Sequence, residues 1–545
     1  MGQEADLVLH RGTVFTMRDG AGAGAEPTAV AVGSGRVLAV GSDADVAPLL
    51  GRATRVVDLA GRVVLPGFAD VHTHVASNAR DPRNVECRDF FEDVGSVADI
   101  LERLSAAALD RAPDEWVVGI AGMLQDLRLA EGRMPTRAEL DDATAGRPCY
   151  VTFGPHLVVA NSAALAAAGV DAGTPDPQGG EIDRDSAGRP TGVLREQAQH
   201  LVRSRRPPTG SDLADRIERE LLGCARRGVT TVHEIVKSTD EVRAFQRLER
   251  EGRLPVRVQL VFRIFQSSFD TWSLLGLGLQ PGFGSDRLRL GGVKVSVDGG
   301  DDKRTGFYPQ EGDDARGFKS LLRMRQEDLD PIVERYHAHG VRICVHAVGD
   351  QALDMTLDSF EKAMARHPAD DARHRIEHMG NFLATPDRVE RARALGLVPV
   401  PNPSSLYFVG ESASHGLGPE RVEDAFPFRR LRDSGVPFVI ASDGPGLWPV
   451  DPLRDVATCA SRTVRSGAVL SPEESVGVLD GLVALTRTAA WLGFAEDELG
   501  TLAPGKLADL VVLGANPLAC PAADVAAIPV DLTVTGGEIT FDREA

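Results

Sequence analysis

Cysteine is scarce: six occur among 545 residues, at positions 87, 149, 224, 344, 459 and 520, with no C-x-x-C pair. That spacing excludes a disulfide framework and leaves reduced, mostly buried thiols. Positive charge is also in deficit, with 60 Lys and Arg against 79 Asp and Glu, a net charge of -19. Such a balance favours solubility and argues against binding a phosphate backbone, so no nucleic-acid partner is expected. No run approaches the roughly 18 apolar residues of a membrane span, and no membrane partner is expected either. MGQEADLVLHRG lacks the basic start and apolar run of a signal peptide, which gives a cytoplasmic expectation. There is no G-x-S-x-G elbow, which disfavours a Ser-His-Asp hydrolase, and no G-x-x-x-x-G-K-[ST] loop. A small-molecule substrate is the remaining partner class, and a homodimer stays open.

What is present is an ordinary globular composition, 43% hydrophobic and 26% charged, in a chain too long for one core. Both ends are strand-like: ADLVLHRGTVFTM and AVAVGSGRVLAVGS first, LADLVVLGANP and VDLTVTGGEITFD last. The Gly-rich run Asp19–Thr28 reads as a hairpin loop, since no strand leads into it and no helix follows. Residues 1–65 and 496–545 are therefore expected to form one small β-domain around a larger central one.

Between them, over 66–495, apolar strands alternate with amphipathic helices. In SDLADRIERELLGCARRGVTTVHEI, Ser211 reads as an N-cap, with Leu213, Ile217, Leu221 and Ala225 as the apolar stripe. Gly228 reads as the stop, before a buried strand at 229–236. Repetition of that unit favours an α/β fold, a (β/α)8 barrel or a doubly wound sheet. The stretch 76–208 is too long for a strand-to-helix loop and reads as an insertion near the strand ends, a candidate lid.

The strongest chemical signal is VLPGFADVHTHV, residues 64–75. Strand side chains alternate, so Asp70, His72 and His74 share one face, while Val71, Thr73 and Val75 share the other. Two imidazoles on the inward face near a strand end are placed to share a metal. Later strands repeat the pattern. GGVKVSVDGG puts Lys294, Ser296 and Asp298 opposite Val293, Val295 and Val297. A lysine inside a barrel is costly unless neutralised or paired. Near two cations its amine can take up CO2 as a bridging carbamate; the plainer alternative is an ion pair with Asp298 or Asp301. RICVHAVGD points His346 inward, RHRIEHM ends on His378, and PFVIASDGPG ends on Asp443, on the face of Val439 and Ala441. His337 and His339 form a second H-x-H, but on a helix two-residue spacing diverges, which makes them surface or cap residues. His10, His200, His367, His374 and His415 lack a strand-end context, and His233 is kept for a supporting role. His156, Arg195 and Trp448 are weak candidates for substrate contacts.

At these residues the sequence resembles the amidohydrolase superfamily, and within it the family 3 branch that includes N-substituted formamide deformylases. The likeness runs nearly end to end, through LPGFADVHTH, GVLRE, GVTTVHE, VKVSVDGG, VHAVGDQALD, RIEHM, ASDGP and LGTLAPGKLADLVVL. It implies a (β/α)8 TIM barrel, a small β-sandwich from both termini, and an insertion at the barrel mouth. It further implies that His72 and His74 bind one cation, and His346 and His378 another. Carboxylated Lys294 would lie between the two, and Asp443 would act as metal ligand and general base. Zinc is the expected metal, as one or two ions, with other divalent cations open. Two stretches depart from the pattern: Val158–Ser162 and Asp301–Thr305. Both border the pocket, so no relative's substrate carries over.

The expected reaction is hydrolysis of an amide, formamide or cyclic amide C–N bond by metal-activated hydroxide. A deaminase of the same superfamily is the first rival, although such enzymes usually need no strand-end lysine. A scaffold that lost its site is the second, and the intact ligand set argues against it.

Overall fold

Valine-rich runs bounded by amphipathic helices assemble the central sheet, as their alternation predicts. The computed structural model describes residues 4–18, 26–79, 81–90, 93–122, 125–207, 212–265, 267–299, 322–417 and 424–545, side chains of 412–417 aside. Ser211, Asp301–Thr305, the His415 side chain and most of the Gly-rich run lie outside the described residues.

Seven parallel strands line up in chain order: β1 (Phe68–Thr73), β2 (Val229–Val236), β3 (Arg257–Arg263), β4 (Leu288–Ser296), β5 (Ile343–His346), β6 (Arg375–Glu377) and β7 (Val398–Val400). The sheet is curled. Beyond β7, segment 438–443 reaches both edges: Ala441 N–H donates to Pro401 O (3.2 Å), and Asp443 N–H to His72 O (3.1 Å). The outer valines behave as alternation requires. Val293, Val295, Ile343, Val345 and Ile376 are buried in one cluster with Leu221, Phe245, Leu329 and Phe360 from the helices.

The helix Leu213–Ala225 buries Ile217, Leu221, Cys224 and Ala225 and is capped by Asp212, whose carboxylate accepts from Ala214 N–H. Gly228, at φ 82°, ends the turn into β2, where its left-handed backbone suits glycine.

The chain ends build two further sheets. One holds Leu7–His10, Ala29–Gly33, Arg36–Gly41 and Arg55–Asp58; the other pairs Val63–Pro66 with Leu510–Leu513 and carries Val530–Thr535 and Glu538–Asp542. Leu9, Val32, Val64, Val512 and Val534 share one apolar cluster across them. Residues 85–196 form a six-stranded sheet of their own with a separate core around Ile100, Leu104, Val151 and Val159.

His337 corrects the sequence reading. It is 4% exposed, not a surface residue, because its ring is needed inside: Nδ1 meets His374 Nε2 at 2.9 Å and Nε2 donates to His367 O at 2.6 Å. His339 is the exposed helix cap expected. All six cysteines are free, five of them buried. Among the described residues no helix is long and apolar enough to cross a membrane.

Candidate metal centre and cavity

The C-terminal ends of the strands surround a cavity of about 850 Å³ lined by His72, His74, Lys294, His346, His378 and Asp443. That size suits a small organic ligand. His72 projects from β1 and His74 from the turn just after it. Their Nε2 atoms stand 3.4 Å apart, and each meets Asp443 Oδ1, at 3.3 and 3.2 Å. One donor atom from each of these three residues thus falls within a 4.8 Å group. The His378 ring lies 5.0 Å from that of His72 and 4.5 Å from that of His346. His346 Nε2 faces Gly299 O at 3.1 Å.

Backbone strain puts several of these groups in place. His378 and Asp443 take φ of 70° and 61°, uncommon for residues with a Cβ. At Asp443 the departure breaks strand alternation. Val439 and Ala441 pack with Val71, Val398 and Val400, while Asp443 turns to the histidines. At His378 it lets two adjacent residues serve the site, since Glu377 Oε2 meets His72 Nδ1 at 2.5 Å.

Supporting contacts fix the rings. Glu377 holds His72, and Asn402 Oδ1 accepts from His378 Nδ1 at 2.7 Å. Arg375 binds Glu377 at 2.6 Å and His233 Nδ1 at 3.1 Å, so His233 reaches His72 through two intermediaries. Glu234 accepts from Thr73 Oγ1, Val75 N–H and Ala76 N–H, each at 2.8 Å, pinning the turn around His74. Asp70 accepts from Ser442 Oγ at 2.5 Å and ties segment 438–443 to β1. Asp298 accepts from Gly349 N–H at 2.7 Å, beyond His346, and among the described residues it forms no ion pair with Lys294.

Burial dominates the electrostatics. It drives His74 down to about 3 and His378 to about 4, and takes His346 well below its usual range. These imidazoles are neutral at pH 7, with lone pairs available. Burial pushes Asp443 the other way, but His72, His74 and His378 outweigh it and hold the carboxylate well below its ordinary value. Lys294, 3% exposed, is lowered to about 8 by burial, against the pull of Glu377 and Asp443.

The three weak substrate candidates divide. His156 lines the cavity, with Nδ1 2.9 Å from Glu196 Oε1. Arg195 does not; it forms a two-pronged ion pair with Asp183, 3.0 Å on each arm, because strand alternation turns it away from its neighbour Glu196. Trp448 is 1% exposed: its indole N–H donates to Ser442 O at 2.6 Å and its ring stacks on Phe408, so it buttresses segment 442–448.

Residues 55–541 match the model of the amidohydrolase family. The chain belongs to that family. This amidohydrolase is 32% identical over 537 residues to protein LONG AFTER FAR-RED 3 of Arabidopsis thaliana, covering 94% of this chain and 88% of the relative. It is 29% identical over 566 residues to the N-substituted formamide deformylase of Arthrobacter pascens, covering 100% and 99%. It also resembles the crystal structure of an uncharacterised metal-dependent hydrolase from Pyrococcus horikoshii, with a TM-score of 0.73, 26% identity and coverage of 95% and 99%. This amidohydrolase is thus a hydrolase acting on C–N bonds, and the metal-dependent neighbour supports a divalent cofactor.

The cavity-lining set read from sequence as His-x-His, Lys, His, His and Asp comes together around one cavity. Glu377, Glu234, Glu196 and Asn402 were missed as individuals, although RIEHM, GVTTVHE and GVLRE contain the three glutamates.

Proposed function

We propose that this amidohydrolase hydrolyses an amide, formamide or cyclic amide C–N bond of a small molecule at a centre of one or two divalent cations, zinc foremost. His72, His74 and Asp443 would hold one cation and His346 and His378 a second, with Lys294, as a carbamate, between them. The observation that carries the reading is the meeting of His72 Nε2, His74 Nε2 and Asp443 Oδ1 within one 4.8 Å group. The donor chemistry fits: neutral imidazoles, one carboxylate, and the far nitrogens of His72 and His378 engaged by Glu377 and Asn402. That outer support is the usual arrangement around metal-bound histidines.

A divalent cation held there would polarise a carbonyl and lower the pKa of a water from 15.7 to about 7. Asp443, held ionised, takes the proton of the attacking water and delivers it to the departing nitrogen. Glu377 and Asn402 keep the imidazoles in one tautomer. Lys294, with its amine near pKa 8, has a neutral fraction at physiological pH that can add CO2 and release a proton. We further read the seven strands with segment 438–443 as the (β/α)8 barrel, 66–495. The sheets of 1–65 and 496–545 are read as a β-sandwich, and 76–208 as the roof of the cavity, to which His156 and Tyr150 contribute.

A single cation is the second reading, favoured because His346 Nε2 faces Gly299 O. Metal content per chain decides it, with a crystal structure at neutral pH showing whether the Lys294 amine carries a planar carboxylate. Turnover is tested by offering the zinc-loaded protein N-formyl amines, N-acyl amino acids and cyclic amides. Hydrolysis of any of these supports the proposal; ammonia from a heterocycle instead would make it a deaminase.

A further inference from the structure

Part of the cavity lining is positively charged, in a protein whose net charge is -19. Lys237 follows the end of β2, Arg263 ends β3, and Arg203 and Arg323 line the same cavity. Their fields overlap. Burial first, then Arg263, with Arg203 adding, lowers Lys237 to about 8; burial first, then Arg323, lowers Arg263 to about 9.

The nearby counter-charge is committed to other groups. Glu196, Glu234 and Glu241 act on Lys237 or Arg263, and Asp298 acts on Arg323 while accepting from the main-chain N–H groups of Val348 and Gly349. Glu196 is engaged by Arg323 and His156, while Glu234 and Glu241 spend oxygens on the main-chain N–H groups of Val75, Ala76 and Lys237. Elsewhere on the wall Arg88 is matched to Glu86 at 2.6 Å and Arg206 to Asp81 at 3.0 Å. The Nε atoms of Arg216, Arg263 and Arg323 are buried without a hydrogen-bond partner, and among the described residues the Arg263 guanidinium has no ion pair. A half-buried guanidinium left unmatched is costly unless an anion completes it.

Arg263 also stands in register with Lys294 on the adjacent strand. Neighbouring strands are about 4.8 Å apart, so an anion on Arg263 would sit a few bonds from chemistry at the metal centre. We propose that the substrate carries an oxyanionic group, carboxylate or phosphate, close to its scissile C–N bond, and that Arg263 and Lys237 seat it. This rests on the hydrolytic reading above and narrows it to acidic substrates. The apolar lining from Ile120, Tyr150, Ile235 and Leu447 would take the remainder of such a molecule. A cationic recess in an acidic protein also concentrates anions where they are needed.

The test is calorimetric binding to the metal-loaded protein of 4-phenylbutanoate, 2-phenylethyl phosphate and the neutral 4-phenylbutan-1-ol. At least one oxyanion should bind about tenfold or more tightly than the alcohol, and the stronger of the two names the group. Arg263→Met and Lys237→Met should each lose most of that preference, and Arg263→Lys should recover part of it, since charge survives without the fork. Circular dichroism on the same samples checks that the variants fold. No preference in the native protein, or an undiminished one in folded Arg263→Met, would overturn the proposal; in the latter case the oxyanion sits on metal or elsewhere. None of these probes has a C–N bond, so the wall is read independently of turnover. A clear preference without hydrolysis of N-formylphenylalanine or its carboxamide would remove N-formyl amino acids from the hydrolytic reading and leave the anion site standing.

Discussion

The two ends of the parallel sheet treat charge in opposite ways. At the N-terminal ends three buried arginines are matched: Arg257 to Asp509 on both arms, 2.9 and 2.8 Å; Arg342 to the main-chain oxygens of Gly291 and Leu492; Arg373 to Asp371 and Glu496. At the C-terminal ends His72, His74 and Asp443 converge, two residues hold left-handed backbone, and Arg263 is unmatched among the described residues. One end is built for stability and the other gives up stability for a ligand, the division expected of barrel enzymes.

Substitutions at each end should therefore fail differently. The largest effect belongs to the mouth. His72→Ala should lose metal and activity beyond the roughly 10–100-fold that supporting residues cost, with the fold intact. Metal analysis and circular dichroism on one sample check it, and full metal occupancy would sink the assignment. At the other end, Asp509→Ala strands Arg257 and should cost about 3–5 kcal/mol by chemical denaturation while metal content stays full. If Asp509→Ala also emptied the site, the two ends would not be separable.

Glu377→Gln sharpens the contrast, because Glu377 serves the mouth from a fully buried position. Its metal affinity, read by chelator competition, should fall roughly 10–100-fold. The smallest effect is a pH slope. The Lys294 pKa is lowered to about 8 from 10.5. Between those values the unfolded chain keeps a proton that the native state has released, so metal-free stability should rise with pH across that window. Lys294→Met should abolish that rise relative to the native protein and be the more stable of the two at pH 7. An identical slope in the variant would mean that Lys294 is not buried as an amine.

Much of this was readable from residues. The 3.6-residue stripe at Ile217, Leu221 and Ala225 and the valines of VKVSV have one physical solution each, a helix face and a buried strand, and both formed. His72, His74, Lys294, His346, His378 and Asp443 were identified because polar residues at the ends of apolar strands need a reason. Alternation failed at Asp443, whose φ of 61° takes it off the face of Val439 and Ala441. Local pattern also misjudged His337, since its contact with His374 comes from a segment distant in the chain. Arg195 was chosen from a motif whose neighbouring residue, Glu196, reaches the cavity side.

The sequence by itself determined the elements and the kinds of donors at their ends, because hydrophobic period and side-chain chemistry are local properties. Only the tertiary structure decided which donors meet. The approach of Glu377 to His72, the reach of Asp443 across the last gap of the sheet, and the imbalance around Arg263 depend on distances between segments far apart in the chain. They also depend on a low-dielectric interior, where a missing partner costs several kcal/mol and cannot be hidden by water.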